Sequence, residues 1–521
     1  MRKPRWLMAA VMGLGLALLA LAAWRPLALP DEGRYGDIGR FMMVSGDWLA
    51  PRLDGIPFFH KPPLLHWMQA AVLSVAGVHP WVSRWVPVGH ALLMLAVMAW
   101  ATQKLLGPQV ALRATLMLGT SLAFLIGGQY INHDMLVAAW ISVAIWSFAL
   151  SLLNPLQPCR RLAWLGFAAC ALGVLAKGLI GVVLPGLVLM VWVTWARLWR
   201  NALRLPWISG LGLFALITLP WFVLAEQQYP GLFDYLVIGQ HFGRYTGHTF
   251  NNPWPWWFYA LILCGLLFPW TFWAYASGVH SLFNQPRRMW QTVSPIGSLL
   301  WTWLLAITVF FSFPNSKLVG YILPVLPPLA VIAADVWQRR WAAHRFSPML
   351  FAMLCVMNVG LAIWVNFEAG QFSLKHSSAD VARQLACQMQ GSDTVWVAGG
   401  YPYDLPYMAH LRQPVVVLSD WEQARQTAGD NWQREMFEGA DFDPAAAKQW
   451  LQPVSELQVP HSPSDWLVTP NGFDTQLLSQ WTPIGQGRAW SLWRGKGSAG
   501  KGPEATQDKG LNCGDSHGQP K

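Results

Sequence analysis

The chain has 521 residues, of which 54% are hydrophobic and only 12% are charged. Soluble domains carry about 25% charged residues, so this composition excludes an ordinary soluble protein and indicates a membrane protein with many spans. The net charge of +10 does not indicate nucleic-acid binding, because the basic residues form short clusters between hydrophobic stretches, as in cytoplasmic loops.

Hydrophobic stretches of near-spanning length recur from the N-terminus to about residue 367 and predict an all-α polytopic membrane protein of about 11–13 transmembrane helices. The first stretch also resembles a cleavable signal peptide, but its length favours an uncleaved anchor. The stretch 64–78 is apolar but short, which is typical of an interfacial or re-entrant helix. Spans are expected near residues 6–24, 84–102, 110–128, 135–153, 162–176, 179–196, 207–225, 255–276, 295–313, 318–336 and 347–367.

The basic clusters also predict the orientation of the chain. If the N-terminus is cytoplasmic, every cluster falls in a cytoplasmic loop, and an odd number of spans places the C-terminus outside. The external face then receives loops 25–83, 129–134, 226–254 and 314–317, which hold most of the unusual polar residues. We therefore expect one reaction face, outside the membrane.

The composition changes after about residue 370. Two short β-rich runs, Thr394–Val397 and Pro414–Leu418, are separated by turn residues and predict a small α/β extramembrane domain over 370–496. The end of the chain, 497–521, is rich in Gly, Ser, Lys and Gln and predicts a disordered tail. The transmembrane domain is expected to cover 1–369, with loop 25–83 as its catalytic loop.

Loop 25–83 contains an acidic pair within the run Asp31–Tyr35, then a Gly-Asp-Trp segment within Ser45–Arg52, then a Lys-Pro segment within Phe58–Pro63. In this order, the pattern resembles the polyprenyl-phosphate-sugar-dependent glycosyltransferases of the GT-C type. The nearest match is the aminoarabinose (lipid A) transferase group, which is related to the protein mannosyltransferases. Further similar motifs follow down to about residue 335, at Asn132–Met135, Leu175–Gly178, Gln240–Tyr245 with His248, and Ser316–Pro324.

The resemblance implies an inner-membrane enzyme that moves a sugar from a polyprenyl (undecaprenyl) phosphate to an acceptor in the cell envelope. Transfer from a lipid phosphate needs cations at the leaving oxygen and a group that positions or deprotonates the acceptor. Asp31 and Asp134 are the catalytic candidates. The candidate ligands of the donor phosphate are Lys61, Arg244, His248, Lys317 and Tyr321. Substrate binding or ordering of the loop is expected of Glu32, Arg34, Tyr35 and Arg52.

Structural roles compete with these assignments. Asp31 and Glu32 suit the cap and first turn of a helix, and Glu32 could instead pair with Arg34 or Arg52. Asp134 could cap the following helix, and Lys177 could extend along a helix end to the membrane surface. Arg244 and His248 could be surface residues, and Tyr321 could belong to the aromatic belt of the interface.

The acceptor and cofactor stay open at this point. Lipid A or lipopolysaccharide is the acceptor implied by the resemblance, whereas a protein acceptor would make the chain an O-glycosyltransferase. A transporter or flippase for a lipid-linked sugar is the main alternative of another class. No spacing of zinc-site quality occurs, and a divalent cation is a candidate cofactor only. His60 replaces the acidic residue expected before Lys61 in the aminoarabinose group.

Overall fold

Helical periodicity and hydrophobic length dominate the first 370 residues, and the computed structural model shows the corresponding helices. It describes residues 5–154, 157–243, 253–276 and 294–497. These residues divide into two compact units, one of 1–51 and 58–370, the other of 52–57 and 371 onward. The predicted tail, apart from residue 497, lies outside the described residues.

The first unit is helical. Its elements include a π-helix at Asp234–Gly243 and a 3₁₀-helix at Val319–Val325. The α-helices are α1 (Arg5–Trp24), α2 (Asp31–Ser45), α3 (Leu64–Ala76), α4 (Pro80–Ser83), α5 (Trp85–Leu106), α6 (Pro108–Gly119), α7 (Leu122–Gly127), α8 (His133–Leu152), α9 (Arg160–Lys177), α10 (Ile180–Trp195), α11 (Trp199–Leu203), α12 (Trp207–Gln228), α13 (Phe258–Leu266), α14 (Pro295–Ser312), α15 (Leu326–Arg340) and α16 (Ser347–His376), whose last six residues belong to the second unit.

Seven helical segments in the described part of the chain are long and apolar enough to cross a membrane. Four further stretches expected to span, near 110–128, 162–176, 179–196 and 255–276, coincide with helices that are interrupted, less apolar or shorter. The all-α membrane architecture expected from the composition is therefore confirmed. The short stretch near 64–78 is the 13-residue helix α3.

Helix α8 is the central helix of this unit. About 89% of its most apolar 18-residue window is buried, and it packs against α9, α5 and α10. Asn132 begins it: the Asn132 side-chain oxygen accepts a hydrogen bond from the backbone N–H of Asp134, at 2.9 Å. This cap fixes the first turn of α8, which carries His133 and Asp134.

The expected loop 25–83 is instead largely ordered into helices α2, α3 and α4 with a short hairpin between α2 and α3. Asp31 and Glu32 occupy the first turn of α2, where carboxylates interact favourably with the helix dipole. Helix α2 packs directly on α3, and Gly39 permits the close approach, because a Cβ there would lie 2.6 Å from Cβ of Gln69. The two helices thereby hold the acidic pair at a defined place.

The second unit contains a six-stranded sheet flanked by short helices, which agrees with the predicted α/β character. The strand order is β5-β4-β3-β6-β8-β7, with β5, β4, β3 and β6 parallel and the last two antiparallel. The strands are β3 (Thr394–Ala398), β4 (Val416–Leu418), β5 (Leu451–Gln452), β6 (Asp465–Pro470), β7 (Trp481–Gln486) and β8 (Trp490–Gly495), and the helices are α17 (Ala379–Gln388), α18 (Leu405–Met408), α19 (Trp421–Thr427), α20 (Trp432–Ala440) and α21 (Pro444–Trp450).

A hairpin from the N-terminal part of the chain completes the second unit. Its strands β1 (Arg52–Leu53) and β2 (Ile56–Pro57) pair antiparallel. Arg52 forms an ion pair with Asp443 at 2.9 Å, and the Asp54 carboxylate accepts a hydrogen bond from the backbone N–H of Val415 at 2.8 Å. No local pattern in the sequence predicts that six residues of the first external stretch belong to the C-terminal unit.

Candidate functional site

Asp31 is held by two neighbours at the start of α2. The guanidinium of Arg34, one turn later, pairs with its carboxylate, and the Tyr130 hydroxyl donates to the other oxygen at 3.3 Å. The Asp31 side chain is 32% exposed, so it remains accessible to a substrate. Burial, followed by the charge of Asp31, raises the pKa of Tyr130, which keeps the phenol protonated as a donor. Arg34 also lies over the Tyr35 ring, at 4.8 Å from its centroid.

Glu32 points away from this accessible carboxylate and is fully buried. It accepts two hydrogen bonds each from Arg25 and Arg84, at 2.6–3.1 Å, and one each from the backbone N–H groups of Ala28 and Ile131. The expected pairing with Arg34 or Arg52 is therefore wrong. Burial alone would raise the pKa of Glu32, but the two guanidinium charges outweigh it and lower the pKa to about 2. Glu32 orders the α1–α2 connection.

The second carboxylate, Asp134, lies in the first turn of α8 and forms an ion pair with Lys177 at the end of α9. The Lys177 ammonium also lies over the Tyr321 ring, 4.4 Å from its centroid. A Cβ on Gly320 would lie 2.0 Å from a carboxylate oxygen of Asp134, so only glycine allows this backbone to approach. Three separate elements thus converge on one carboxylate.

Aromatic rings connect the surroundings of the two carboxylates. Tyr35 of α2 packs edge-to-face on His133 of α8, with ring centroids 4.9 Å apart, and His66 of α3 lies 5.4 Å from His133. Tyr35 directly follows Arg34 and His133 directly precedes Asp134, so this cluster links the helices α2 and α8 that carry the two acidic groups. Lys61 lies within electrostatic range of His133 and adds a cation to the same region.

The remaining cation candidates have different surroundings. Lys61 is half-buried, and its ammonium donates to its neighbour's backbone carbonyl at 2.9 Å. Lys317 is buried and donates to the carbonyls of Trp254 and Pro314, and burial lowers its pKa. Lys317 therefore ties together two chain segments as well as carrying charge. Arg244 and His248 lie outside the described residues.

Comparison with known proteins adds a family context. The family model "Dolichyl-phosphate-mannose-protein mannosyltransferase" matches residues 25–236. An undecaprenyl phosphate-alpha-4-amino-4-deoxy-L-arabinose arabinosyl transferase of Pseudomonas savastanoi pv. phaseolicola is 28% identical over 373 residues, covering 68% of this chain and 66% of the relative. A second such transferase, from Pseudomonas fluorescens (strain Pf0-1), is 30% identical, covering 63% of this chain and 59% of the relative. The matches thus span somewhat under two thirds of these relatives.

Solved structures agree over a larger part of the chain. The crystal structure of ArnT from Cupriavidus metallidurans bound to undecaprenyl phosphate superimposes with a TM-score of 0.77 and 22% identity, covering 94% of this chain and 97% of that one. The chain has the GT-C fold and is similar to the aminoarabinose transferases. The resemblance seen in the sequence motifs is thereby confirmed. An Archaeoglobus fulgidus oligosaccharyltransferase is a more distant match, with a TM-score of 0.51 and 12% identity, covering 90% of this chain and 69% of that one.

Within this GT-C chain, metal ligands are not concentrated at the site. Among the residues that the structure describes, no group of three His, Cys, Asp or Glu side chains is arranged to hold an ion. The carboxylates of Asp31 and Asp134 are each bonded to a cationic side chain instead. A divalent cation stays a prediction, and no step below depends on one.

Several site residues of this GT-C chain lack a strong signal in the sequence. Lys177, for which the sequence allows a place at the membrane surface, instead contacts Asp134 and is 9% exposed. Its position directly before Gly178, which ends α9 with a φ of 88°, was the available signal for a lysine fixed at a helix end. Tyr130 and His66 carried no local pattern that marks them. Their roles arise from helices far apart in sequence.

Proposed function

We propose that this chain is a membrane glycosyltransferase that moves a sugar from a polyprenyl (undecaprenyl) phosphate to a cell-envelope acceptor, with lipid A or lipopolysaccharide as the preferred acceptor. The observation that carries this proposal is that two carboxylates at helix starts each hold a cation: Asp31 holds Arg34, and Asp134 holds Lys177. The relatives named as aminoarabinose transferases and the ArnT fold support the donor class.

The proposed reaction breaks the bond between the sugar's anomeric carbon and the phosphate oxygen, while the acceptor oxygen forms a new bond to that carbon. Polyprenyl phosphate leaves with the electron pair, and nearby cations stabilise its developing negative charge. We assign this role to Lys61, which lies within electrostatic range of His133, with Lys317, Tyr321, Arg244 and His248 as further candidates.

The role of Asp31 depends on the acceptor. A phosphate oxygen of lipid A is already ionised near neutral pH, so Asp31 would only orient the acceptor and Arg34. A hydroxyl acceptor must lose its proton, and Asp31, which is the more exposed of the two carboxylates, would then accept it. In both cases Asp134 keeps Lys177 in place. Tyr35 and Arg34 would contact the substrate, whereas Glu32 and Arg52 order the chain around it.

We further propose that the protein lies in a bacterial inner membrane, with a cytoplasmic N-terminus and a periplasmic C-terminal domain. The hairpin β1–β2 supports this arrangement, because residues 52–57 form part of the second unit and therefore require the first external stretch and residues 371–497 to share one membrane face. Cysteine accessibility labelling at residue 48 and at residue 339 tests it, with external labelling expected only at residue 48.

The direct test is a transfer assay with purified protein, a polyprenyl-phosphate sugar and lipid A. We expect Asp31→Asn and Lys61→Ala each to lower the transfer rate by about 10²-fold or more. Asp335→Asn is the matched control, because that carboxylate is similarly half-buried, at 27% exposed, and pairs with Arg339 on its own helix. Full activity in Asp31→Asn would remove the catalytic assignment of this residue.

A second candidate, transfer to protein, is favoured by the match to a protein mannosyltransferase family model. Mass spectrometry of envelope lipids and glycoproteins, from cells with and without the chain, separates the two. A mass gain on lipid A supports the first proposal, and a gain confined to proteins supports the second. Unchanged lipids and proteins, together with donor that moves across the bilayer, would identify a flippase instead.

A further inference from the structure

The Tyr35–His66–His133 cluster contains imidazole nitrogens that the carboxylate–cation pairs do not use. His66 and His133 are 0% and 2% exposed, so both are desolvated. In the part of the chain that the structure describes, Nε2 of His133 has no hydrogen-bond partner, whereas the His66 ring approaches the backbone of Tyr35. A buried nitrogen without a partner is costly, which indicates that a ligand or bound molecule completes it.

The bonding of His133 fixes which group it offers. Its Nδ1 lies 2.8 Å from the carbonyl oxygen of Ala176, and only an N–H can bond to a carbonyl, so Nδ1 carries the proton. In the neutral ring Nε2 is then an acceptor. Lys61 and Lys177 both lie within electrostatic range of the ring. His133 thus presents a neutral, buried acceptor.

The location of this acceptor suits the group being transferred. His133 directly precedes Asp134, and Tyr35, which contacts its ring, directly follows Arg34. The His133 ring also bonds to Ala176, which directly precedes Lys177, so it neighbours the Asp134–Lys177 pair and lies within electrostatic range of Lys61, a cation proposed for the leaving phosphate. A sugar on that phosphate would bring its ring hydroxyls to this cluster, whereas an ammonium group would be repelled by the two lysines.

We infer that His133, supported by His66 and Tyr35, is the subsite for a hydroxyl group of the donor sugar, with the hydroxyl donating to Nε2 of His133. This inference rests on the proposed function, since it names part of the donor that the same site would hold. It predicts discrimination between a sugar-bearing polyprenyl phosphate and the free lipid phosphate, which shares every feature of the donor except the sugar.

Two substitutions separate recognition from support of the fold. His133→Asn places an amide N–H where Nδ1 donates to Ala176 and removes the Nε2 acceptor. His133→Gln extends an amide toward the Nε2 position and abandons the bond to Ala176. His66→Phe is a third variant, which keeps a ring packed against His133 and removes both nitrogens. Each is made in the full chain, reconstituted in nanodiscs.

The measurement is the dissociation constant for undecaprenyl phosphate and for undecaprenyl phosphate carrying the sugar, together with kcat and KM for transfer. We expect His133→Asn to raise the dissociation constant for the sugar-bearing lipid by about 10-fold. The dissociation constant for free undecaprenyl phosphate should stay within about twofold of the wild-type value. His133→Gln should retain more of the discrimination between the two lipids than His133→Asn does. His66→Phe should lose part of this discrimination while remaining folded.

The results distinguish the inference from the proposed function. If wild-type protein transfers sugar and His133→Asn and His66→Phe still discriminate as the wild type does, the subsite assignment is wrong and the enzyme assignment stands. If binding of both lipids is weakened equally, and most strongly in His133→Gln, His133 only supports the Asp134–Lys177 pair. That result also overturns the subsite assignment. Wild-type protein that neither discriminates nor transfers would overturn both.

Discussion

Replacing Glu32 with glutamine should destabilise the first unit strongly, although Glu32 makes no direct contribution to the proposed chemistry. The substitution removes the carboxylate charge that the buried guanidinium groups of Arg25 and Arg84 face. Removing one partner of a buried ion pair costs about 3–5 kcal/mol. The change of shape is small, so the loss of charge and of the acceptor oxygen accounts for the effect.

The pKa of Glu32 gives a similar value for its contribution to the stability of the folded protein. The pKa of Glu32 is lowered from 4.5 to about 2 in the folded protein. A carboxyl group with that difference stabilises the folded state by about 3 kcal/mol at neutral pH. Because the folded pKa is the lower one, this stabilisation is complete above pH 4.5 and is lost as the pH falls toward 2. The wild type should thus lose a stabilising term on acidification that Glu32→Gln lacks.

The assay is thermal unfolding of the detergent-solubilised protein at pH 7 and at pH 4, with Asp335→Asn as the control. That pair joins the half-buried Asp335 to the exposed Arg339 within one helix and should contribute less than about 1 kcal/mol, so the control should unfold close to the wild type. We expect Glu32→Gln to unfold several degrees lower at pH 7, with a smaller difference at pH 4. Coincident unfolding of Glu32→Gln and the control at pH 7 would refute the reasoning.

Three further changes test other parts of the structure. Lys177→Met should lower the transfer rate by about 10²-fold, since it removes a cation held against a site carboxylate, and should also lower the thermal stability, since the carboxylate that loses this counter-charge is buried; an unaltered kcat would contradict the role of Lys177 in transfer. Gly439→Ala should destabilise the second unit by about 1–3 kcal/mol, because its Cβ would lie 2.1 Å from the carbonyl oxygen of Pro57, whereas Gly391→Ala, with open space around it, should not. Burial would lower the pKa of His461, but bonding to a neighbouring carboxylate raises it above 6.5. The second unit should therefore lose stability as the pH rises beyond 6.5. His461→Gln should abolish that loss, which is measured by pH-dependent unfolding followed by tryptophan fluorescence.

The sequence predicted the helices well because a membrane span is a local property. The run Arg5–Trp24 and the run His133–Leu152 are recognisable from length and apolar content alone. The acidic residues at helix starts, Asp31 and Asp134, also follow from local motifs. The strands Thr394–Ala398 and Val416–Leu418 were predictable from their β-branched residues in the same way.

The partners of charged residues could not be predicted in this way. Glu32 pairs with Arg84, 52 positions away, and not with the nearer Arg34, because burial favours the charge network that satisfies both carboxylate oxygens. Asp134 pairs with Lys177 across two packed helices. No periodicity encodes such choices. They depend on which helix faces meet, and a single sequence does not specify that.

The hairpin at residues 52–57 has a practical consequence for engineering. A fragment that ends at residue 370 would carry two strands whose partners in the second unit are missing. A fragment that begins at residue 371 would lack Arg52 and Asp54, which bond to Asp443 and to the backbone of Val415. A chimera that exchanges the C-terminal unit between relatives must therefore also exchange residues 52–57. A chimera with a single crossover point would combine mismatched parts of this unit, and its activity would not reveal the function of the C-terminal unit.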